Sequence, residues 1–266
     1  MDRAIPFDAL GLETLFGSQG RELESDVGGL TERRVTPIAR FTRVVSWFGA
    51  RDPDFVRRLT ALVPDALVVP SVGEGRPVWE HLLASVGASI DDAARWRGRI
   101  VPAATLVGDG RRALQDAGWD SRARLVVVHP GAGGVAKRWP AEGFAAILAR
   151  LCSERALALS IHLGPADAAA VAALRARLTG PAMVLDEPSL PRLAGVLACA
   201  SAYLGNDSGV SHLAAALGTP SVVLFTRDKL AWQPWEPRAR PLVVSTASLE
   251  RADLDRVLAT LRQLVD

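Results

Sequence analysis

Apolar and polar positions alternate in blocks through the second half of the chain. Continuous apolar runs, often β-branched, predict buried strands at 124–129, 157–163, 183–185, 202–204, 221–225 and 242–244. Apolar residues at helical spacing predict helices over 141–151, 167–178, 190–198 and 249–265, with a further helix of small residues after Ser208. Strands that are apolar on both faces and alternate with helices are typical of a parallel, doubly wound sheet.

The first half of the chain is less regular. Short apolar runs predict strands at 4–5, 44–47 and 66–69, and helices are expected near 53–62 and 78–86. Residues 70–77 are expected to form a loop, and a linker between two α/β lobes is expected around 100–109.

Composition limits the possible classes of protein. With 266 residues, of which 49% are hydrophobic, the chain can bury one large core or two modest ones. A net charge of +2 argues against an obligate nucleic-acid binder. No segment approaches the roughly 20 apolar residues that span a bilayer. Cys152 and Cys199 lack metal-ligand spacing and are expected to be small core residues of a cytosolic protein.

The densest group of polar residues follows the predicted strand at 202–204. Ser208 is suited to cap the next helix, and Gly209 would let a ligand approach the backbone. The free N–H groups of the first helical turn, at the positive end of the helix dipole, suit a phosphate. A capped helix that binds nothing is also compatible with this motif taken alone.

A glycine-rich loop follows the predicted strand at 124–129. Its glycines would allow backbone N–H groups to face an anion, and Lys137 would supply a positive charge. The loop departs from the G-x-G-x-x-G pattern of dinucleotide-binding enzymes, because the third glycine is missing and no acidic residue ends the next strand. It also lacks the Gly-Lys-Ser/Thr of a P-loop.

Three motifs in this order resemble glycosyltransferase family 9, the ADP-heptose:lipopolysaccharide heptosyltransferases and their relatives. They are His-Pro-Gly-Ala-Gly-Gly…Lys-Arg-Trp-Pro from residue 129, Ser-Leu-Pro-Arg-Leu-Ala-Gly-Val-Leu from residue 189, and Gly-Asn-Asp-Ser-Gly-Val-Ser-His-Leu from residue 205. The resemblance covers about residues 124–245. It implies the GT-B fold, an α/β architecture of two Rossmann-like lobes with parallel sheets. An incomplete acceptor-side lobe would span 1–108, and a nucleotide-sugar-binding lobe 109–266.

The resemblance also implies a donor site. Lys137, which would contact the donor diphosphate, and Asp207 are the expected catalytic residues, and Asp167 is expected near the ribose. The expected binding residues are Gly131, Ala132, Gly133, Gly164, Asp167, Asn206, Ser208, Gly209, Val210 and His212. No metal and no other cofactor is expected, because no Asp-x-Asp pair is placed to hold a divalent ion.

The N-terminus departs from the family pattern. Family members usually open with a strand and a Gly-Asp loop whose aspartate is thought to act as general base, whereas Asp8 has no glycine before it. The elements that open the first lobe are therefore expected to be missing, and a chain that begins at Met1 is expected to have weak or no transferase activity.

Three functions are compatible with the sequence. The first is an inverting transfer of a heptose-like sugar from a nucleotide donor to a lipopolysaccharide-core or similar glycan acceptor. The second is a catalytically impaired nucleotide-sugar-binding remnant. The third is a GT-B-like nucleotide-sugar epimerase, which would need carboxylates on both sides of the cleft.

Some further polar and aromatic residues have two interpretations each. Trp232 and Trp235 pack against the interlobe surface or contact substrate. His129 and His162 end buried strands at the cleft edge, where they touch the ligand or only pack in the fold. A cytoplasmic location is expected, with peripheral contact at the inner face of the membrane as a further expectation. A group of arginines forms a solvated face or meets a glycolipid acceptor there: Arg95, Arg97, Arg99, Arg111 and Arg112.

Overall fold

The computed structural model describes residues 7–10, 12–15, 37–94 and 99–265. Within these residues two short strands pair in parallel, β1 (Val45–Ser46) and β2 (Leu67–Val68). Six longer strands form a second, fully parallel sheet: β3 (Arg124–His129), β4 (Leu157–Leu163), β5 (Met183–Asp186), β6 (Ala202–Asn206), β7 (Ser221–Phe225) and β8 (Ala239–Val243). Parallel α/β architecture is thereby confirmed.

Helices connect these strands and cover both faces of the larger sheet. They are α1 (Pro53–Leu62), α2 (Val78–Ser85), α3 (Ile90–Ala94), α4 (Ala104–Asp116), α5 (Ala141–Glu154), α6 (Ala168–Arg175), α7 (Leu190–Cys199), α8 (Gly209–Ala216) and α9 (Arg251–Val265). Short 3-10 helices occur at Phe7–Leu10, Leu12–Leu15, Pro37–Arg40, Val135–Lys137 and Arg227–Trp232.

The strand order of the larger sheet locates the edge at which a ligand site is expected. The order is β5-β4-β3-β6-β7-β8, so the chain reverses its direction of growth between β3 and β6. His129, the last residue of β3, lies opposite Gly205 of β6. Open α/β sheets hold ligands in the crevice outside the carboxyl ends of the strands at such a switch point.

The core explains why β3 is apolar along its length. Val126 and Val128 belong to a buried cluster with side chains of α5, α6 and α9. Leu125 and Val127 belong to a second cluster on the other face, with side chains of α4, α7 and α8. Because successive side chains point to opposite faces, a central strand covered on both sides carries no polar alternation.

The linker expected at 100–109 is wrong over most of its length, because α4 begins at Ala104 and crosses the predicted lobe boundary at 108/109. This helix packs closely along α7: a Cβ added at Gly110 would lie 2.2 Å from the backbone carbon of Gly195. Glycine lowers helix propensity, but at this position it allows two helix backbones to meet.

The N-terminal lobe has a small core of its own. Phe55 and Leu59 of α1 are buried with Leu12, Leu15 and Ile38 from the 3-10 helices. The helices expected at 53–62 and 78–86 are confirmed, and the strands expected at 44–47 and 66–69 form two residues each. The strand expected at 4–5 lies outside the described residues.

Most elements predicted in the second half are confirmed, with shifts of a few residues at their ends. The helix expected at 167–178 ends at Arg175, and β8 begins at Ala239 rather than at 242. Cys199 is half-buried, but the expectation that Cys152 is a core residue is wrong, because its side chain is exposed. No helix in the described ranges is long and apolar enough to cross a membrane.

Candidate functional site

An ion pair lies at the carboxyl ends of the central strands. Lys137 follows the glycine-rich loop after β3, and Asp207 follows β6 directly. The Lys137 Nζ donates to Asp207 Oδ2 at 2.9 Å, with side-chain exposures of 31% and 8%. An ammonium group has three N–H donors, so Lys137 can hold Asp207 and still donate to an anion on its exposed side.

The N-terminus of α8 lies beside this pair. Ser208 caps the helix as predicted, since its Oγ accepts from Ser211 N at 3.4 Å. Gly209 is exposed, and a Cβ added there would meet nothing within 4 Å, as would one at Gly133 in the other loop. Backbone N–H groups at a helix start with open space before them form a suitable surface for an anion.

Both charges of the ion pair affect the pKa of His212, which lies one turn into α8. Burial lowers the pKa of His212 most; Asp207 raises this pKa and Lys137 lowers it. His212 and Val210 are only half-buried, so both residues lie on the accessible side of the helix start.

The carboxylate of Asp167 is enclosed rather than open to the crevice. Its Oδ2 accepts from Gly164 N at 3.1 Å and from His129 Nε2 at 2.9 Å. A Cβ at Gly131 would lie 1.9 Å from Asp167 Oδ1, and one at Gly164 2.7 Å from Oδ2. These three residues, all predicted for the donor site, are packed together, and the two glycines leave room for the Asp167 carboxylate.

Asn206 also supports the site through buried hydrogen bonds. Its side chain is fully buried at the end of β6. Its Oδ1 accepts from Trp139 N at 3.0 Å, and its Nδ2 donates to Pro130 O at 2.8 Å and to Gly131 O at 3.3 Å. These bonds hold both ends of the glycine-rich loop against β6, so the amide orders the loop without reaching the crevice.

The middle of the glycine-rich loop is fixed by an arginine. Ala132 is buried, and its carbonyl accepts from Arg138 Nη2 at 3.3 Å. The same nitrogen donates to Ala166 O at 3.0 Å, which ties the loop to the turn before α6. Of the loop residues predicted to contact the donor, Gly133 therefore remains the most accessible.

Two buried histidines lie beside the Asp167 carboxylate. Their ring centroids are 5.0 Å apart. Burial and, to a smaller extent, the neighbouring His129 lower the pKa of His162 to about 4, against the opposing effect of Asp167. Burial also lowers the pKa of His129, against the opposing effect of its bond to Asp167. Both rings are accordingly neutral at pH 7.

The same three side chains carry the atoms that metal ions bind. Among the described residues, ligand atoms of His129, His162 and Asp167 lie within 4.8 Å of one another. His129 Nε2 and Asp167 Oδ2 are bonded to each other, and Gly164 N also donates to that oxygen. Among the described residues the buried His162 Nδ1 has no hydrogen-bond partner. Because His129 Nε2 and Asp167 Oδ2 already hold each other, the structure favours a hydrogen-bonded cluster over a cation site.

The sequence analysis missed two side chains of this network. Tyr203 Oη lies 2.9 Å from Ser211 Oγ, which itself donates to Asn206 O at 2.5 Å. Burial raises the pKa of Tyr203, so the phenol stays protonated. The sequence does hold a signal for this contact: the single tyrosine of the chain lies within an apolar strand. A buried phenol needs a hydrogen-bond partner.

Aromatic contacts join the two lobes. Trp79 of α2 stacks on Trp235, with ring centroids 5.4 Å apart and planes 9° from parallel. The interlobe packing expected for Trp235 is therefore confirmed, whereas Trp232 is 38% exposed.

The arginines proposed for an anionic acceptor are dispersed. Arg111 lies over the Trp119 ring, and Arg112 pairs with Asp109 of its own helix. Arg95 and Arg97 lie outside the described residues.

Comparison with known proteins identifies the family. The model of glycosyltransferase family 9 (heptosyltransferase) matches residues 102–257, more than half of the chain and all of the larger sheet. The chain belongs to glycosyltransferase family 9. Within that family, it is 36% identical over 127 residues to lipopolysaccharide heptosyltransferase 1 of Pseudomonas aeruginosa, a match that covers 47% of this chain and 35% of that protein. The match thus spans about a third of the curated relative.

Solved structures of family 9 members share the fold. An Escherichia coli ADP-heptose lipopolysaccharide heptosyltransferase II superposes with a TM-score of 0.65 at 21% identity, over 86% of this chain and 78% of that one. The E. coli heptosyltransferase WaaC with ADP gives 0.56 at 16% identity, over 84% and 73%. The predicted GT-B-like fold is thereby confirmed.

Proposed function

We propose that this family 9 chain is a glycosyltransferase whose C-terminal lobe binds a nucleotide sugar. One observation carries the proposal: the Lys137 ammonium and the free start of α8 lie together at the carboxyl ends of β3 and β6. Both features attract a diphosphate, and they meet at the position where open α/β sheets hold nucleotides. The relative solved with ADP supports the same choice of ligand.

The proposed reaction is attack of an acceptor hydroxyl on the anomeric carbon of the donor, with departure of the nucleoside diphosphate. Negative charge grows on the leaving diphosphate as its bond to the sugar breaks. Lys137 and the N–H groups of α8 stabilise that charge more in the transition state than in the bound donor, and this difference is the source of catalysis. Asp207 holds the ammonium in place.

The donor sugar, the stereochemistry and the acceptor are proposed from membership of the family. We propose a heptose-like donor sugar, inversion at the anomeric carbon, and a lipopolysaccharide-core or similar glycan as acceptor, with the reaction in the cytoplasm. The acceptor and its general base belong to the N-terminal lobe, which contacts the donor lobe through Trp79 and Trp235. Asp8 lies in the 3-10 helix Phe7–Leu10 at the start of that lobe's described part, but its side chain lies outside the described residues.

Calorimetry with ADP, UDP and GDP tests the proposal. At least one diphosphate should bind below millimolar concentration, and Lys137→Ala should weaken it by about 1.5–3 kcal/mol, or roughly 10- to 150-fold. The matched control is Lys229→Ala, which changes the only other lysine of the chain, a half-exposed side chain paired with Asp228. Failure of the wild-type chain to bind any of the three would refute the proposal.

A transfer assay distinguishes an active enzyme from a nucleotide-binding remnant. The assay measures release of the diphosphate from a nucleotide heptose in the presence of a core-lipid acceptor. Release that depends on the acceptor and is lost in Lys137→Ala supports the transferase. Tight diphosphate binding without any transfer would support the remnant instead.

A further inference from the structure

A line of hydrogen bonds runs from the enclosed carboxylate to the cap of α8. Asp167 Oδ2 lies 2.9 Å from His129 Nε2, and His129 Nδ1 lies 3.1 Å from Ser208 Oγ. The three residues come from the turn before α6, the end of β3 and the start of α8. Asp167 and His129 are buried, whereas Ser208 is half-buried and reaches the accessible side.

The direction of these bonds follows from the available protons. A carboxylate only accepts, so His129 Nε2 must carry a hydrogen and donate it to Asp167. A neutral imidazole then has no hydrogen on Nδ1, which must accept. Its donor is the Ser208 hydroxyl, whose single hydrogen therefore points inward. One of the two lone pairs of Ser208 Oγ accepts from Ser211 N at 3.4 Å. Only the other lone pair is left for a ligand, and it repels the oxygens of a phosphate.

We propose that His129 is a positioning residue that reverses the Ser208 hydrogen bond when a nucleoside diphosphate binds, by taking up one proton from solvent. This inference rests on the proposed donor site at α8. In the bound state imidazolium Nδ1–H donates to Ser208 Oγ, and the freed Ser208 O–H donates to a phosphate oxygen. No covalent bond between heavy atoms changes, and the added proton comes from the buffer.

The charged groups around His129 set the balance of this exchange. Asp167 favours the imidazolium, whereas burial and Arg138 disfavour it and hold the pKa of His129 below its usual value. His162, whose pKa is about 4, stays neutral beside it. Without ligand the neutral ring is therefore preferred. A diphosphate adds negative charge next to Ser208 and favours the protonated ring.

Calorimetry in two buffers of different ionisation enthalpy measures the proton directly. ADP, or UDP or GDP if one of those binds instead, is titrated at pH 7. The wild-type chain should take up a substantial fraction of a proton, and affinity should fall as pH rises. His129→Asn and Ser208→Ala should both lose this uptake and bind about tenfold more weakly. His81→Asn is the control: His81 is bonded to Pro70 O in the other lobe, and this variant should keep the uptake.

Equal proton uptake in His129→Asn and wild type would overturn the inference, as would diphosphate binding by the wild type without uptake. No binding of any diphosphate would instead refute the proposed donor site itself. Nitrogen NMR of the unaltered chain gives an answer even where variants misfold. The His129 ring should show a hydrogen on Nε2 alone without ligand and on both nitrogens with it. A bare Nδ1 in the bound state would contradict the proposal.

Discussion

Two halves of the same site differ in how their polar groups are used. The open half consists of Lys137, Asp207, Gly133 and the start of α8, and it has space in front of its glycines. The closed half consists of His129, Asp167, Gly131, Gly164 and Asn206, whose polar side chains all have partners inside the fold. Two glycines of one loop thus differ in their surroundings: Gly133 has open space before it, and Gly131 leaves room for a carboxylate.

The difference separates binding from stability. A buried polar network that is fully satisfied rigidifies the structure, and it becomes costly once one member is removed. A half-exposed ion pair can exchange one partner for an anionic ligand at small cost. Changes in the closed half should therefore lower the free energy of unfolding, whereas changes in the open half should mainly lower nucleotide affinity.

The largest effect is expected for Asn206→Asp. A carboxylate there cannot donate to the carbonyls of Pro130 and Gly131, and it places an unpaired charge where the side chain has no exposure. The free energy of unfolding in urea should fall by roughly 4 kcal/mol. The reverse exchange at the next position, Asp207→Asn, is the control. A similar loss in both variants would show that the two halves do not differ.

A smaller loss is expected for Gly131→Ala. The added methyl group would overlap Asp167 Oδ1, so either the carboxylate leaves its bonds or the loop shifts. Overpacking and lost hydrogen bonds together should cost about 3 kcal/mol. Gly133→Ala lies two residues away in the same loop with open space around it, and its unfolding free energy should stay within about 0.5 kcal/mol of wild type. Equal melting temperatures for the two variants would contradict this division.

The sequence predicts the framework of this site well, because strands and helices depend on local patterns. The apolar run at 124–129 and the polar turn at Ser208 predict, from local pattern alone, that both loops lie at strand ends. The sequence does not predict which polar groups pair, since His129 is 38 positions from Asp167 and 79 from Ser208. Such pairs exist only after the parallel topology has brought the strand ends together.

Glycines illustrate the same limit. Gly110 lies where α4 meets α7, and the sequence alone carries no sign of its partner at Gly195. Gly131, which is predicted for the donor site, also leaves room for the Asp167 carboxylate, and the sequence does not show that contact. A missing side chain indicates that space is needed, and only the fold shows what fills the space.

The pH dependence of stability sharpens the comparison further. Burial lowers the pKa of His162 from its ordinary value of 6.5 to about 4, so the unfolded chain binds more protons between these values. The contribution of neutral His162 to the free energy of unfolding is therefore fully present above pH 6.5. About 2–3 kcal/mol of it is lost as the pH falls toward 4. In His162→Leu this contribution should disappear from urea unfolding measured between pH 7 and 4. An unchanged pH slope would show that His162 is not buried neutral.

The smallest effect on stability is expected at the open half, from the Lys137–Asp207 pair. Lys137→Ala removes the partner of a carboxylate that is 8% exposed, but the ammonium was itself partly in solvent. The cost of unpairing should be about 1 kcal/mol, and Asp207→Asn in the same chain should restore most of it, because no unpaired charge then remains. Urea unfolding of both single variants and the double variant measures the coupling. Diphosphate affinity in the double variant should stay as low as in Lys137→Ala, because the positive charge is still missing. A coupling of several kcal/mol, or recovery of affinity together with stability, would place Lys137 in the closed half after all.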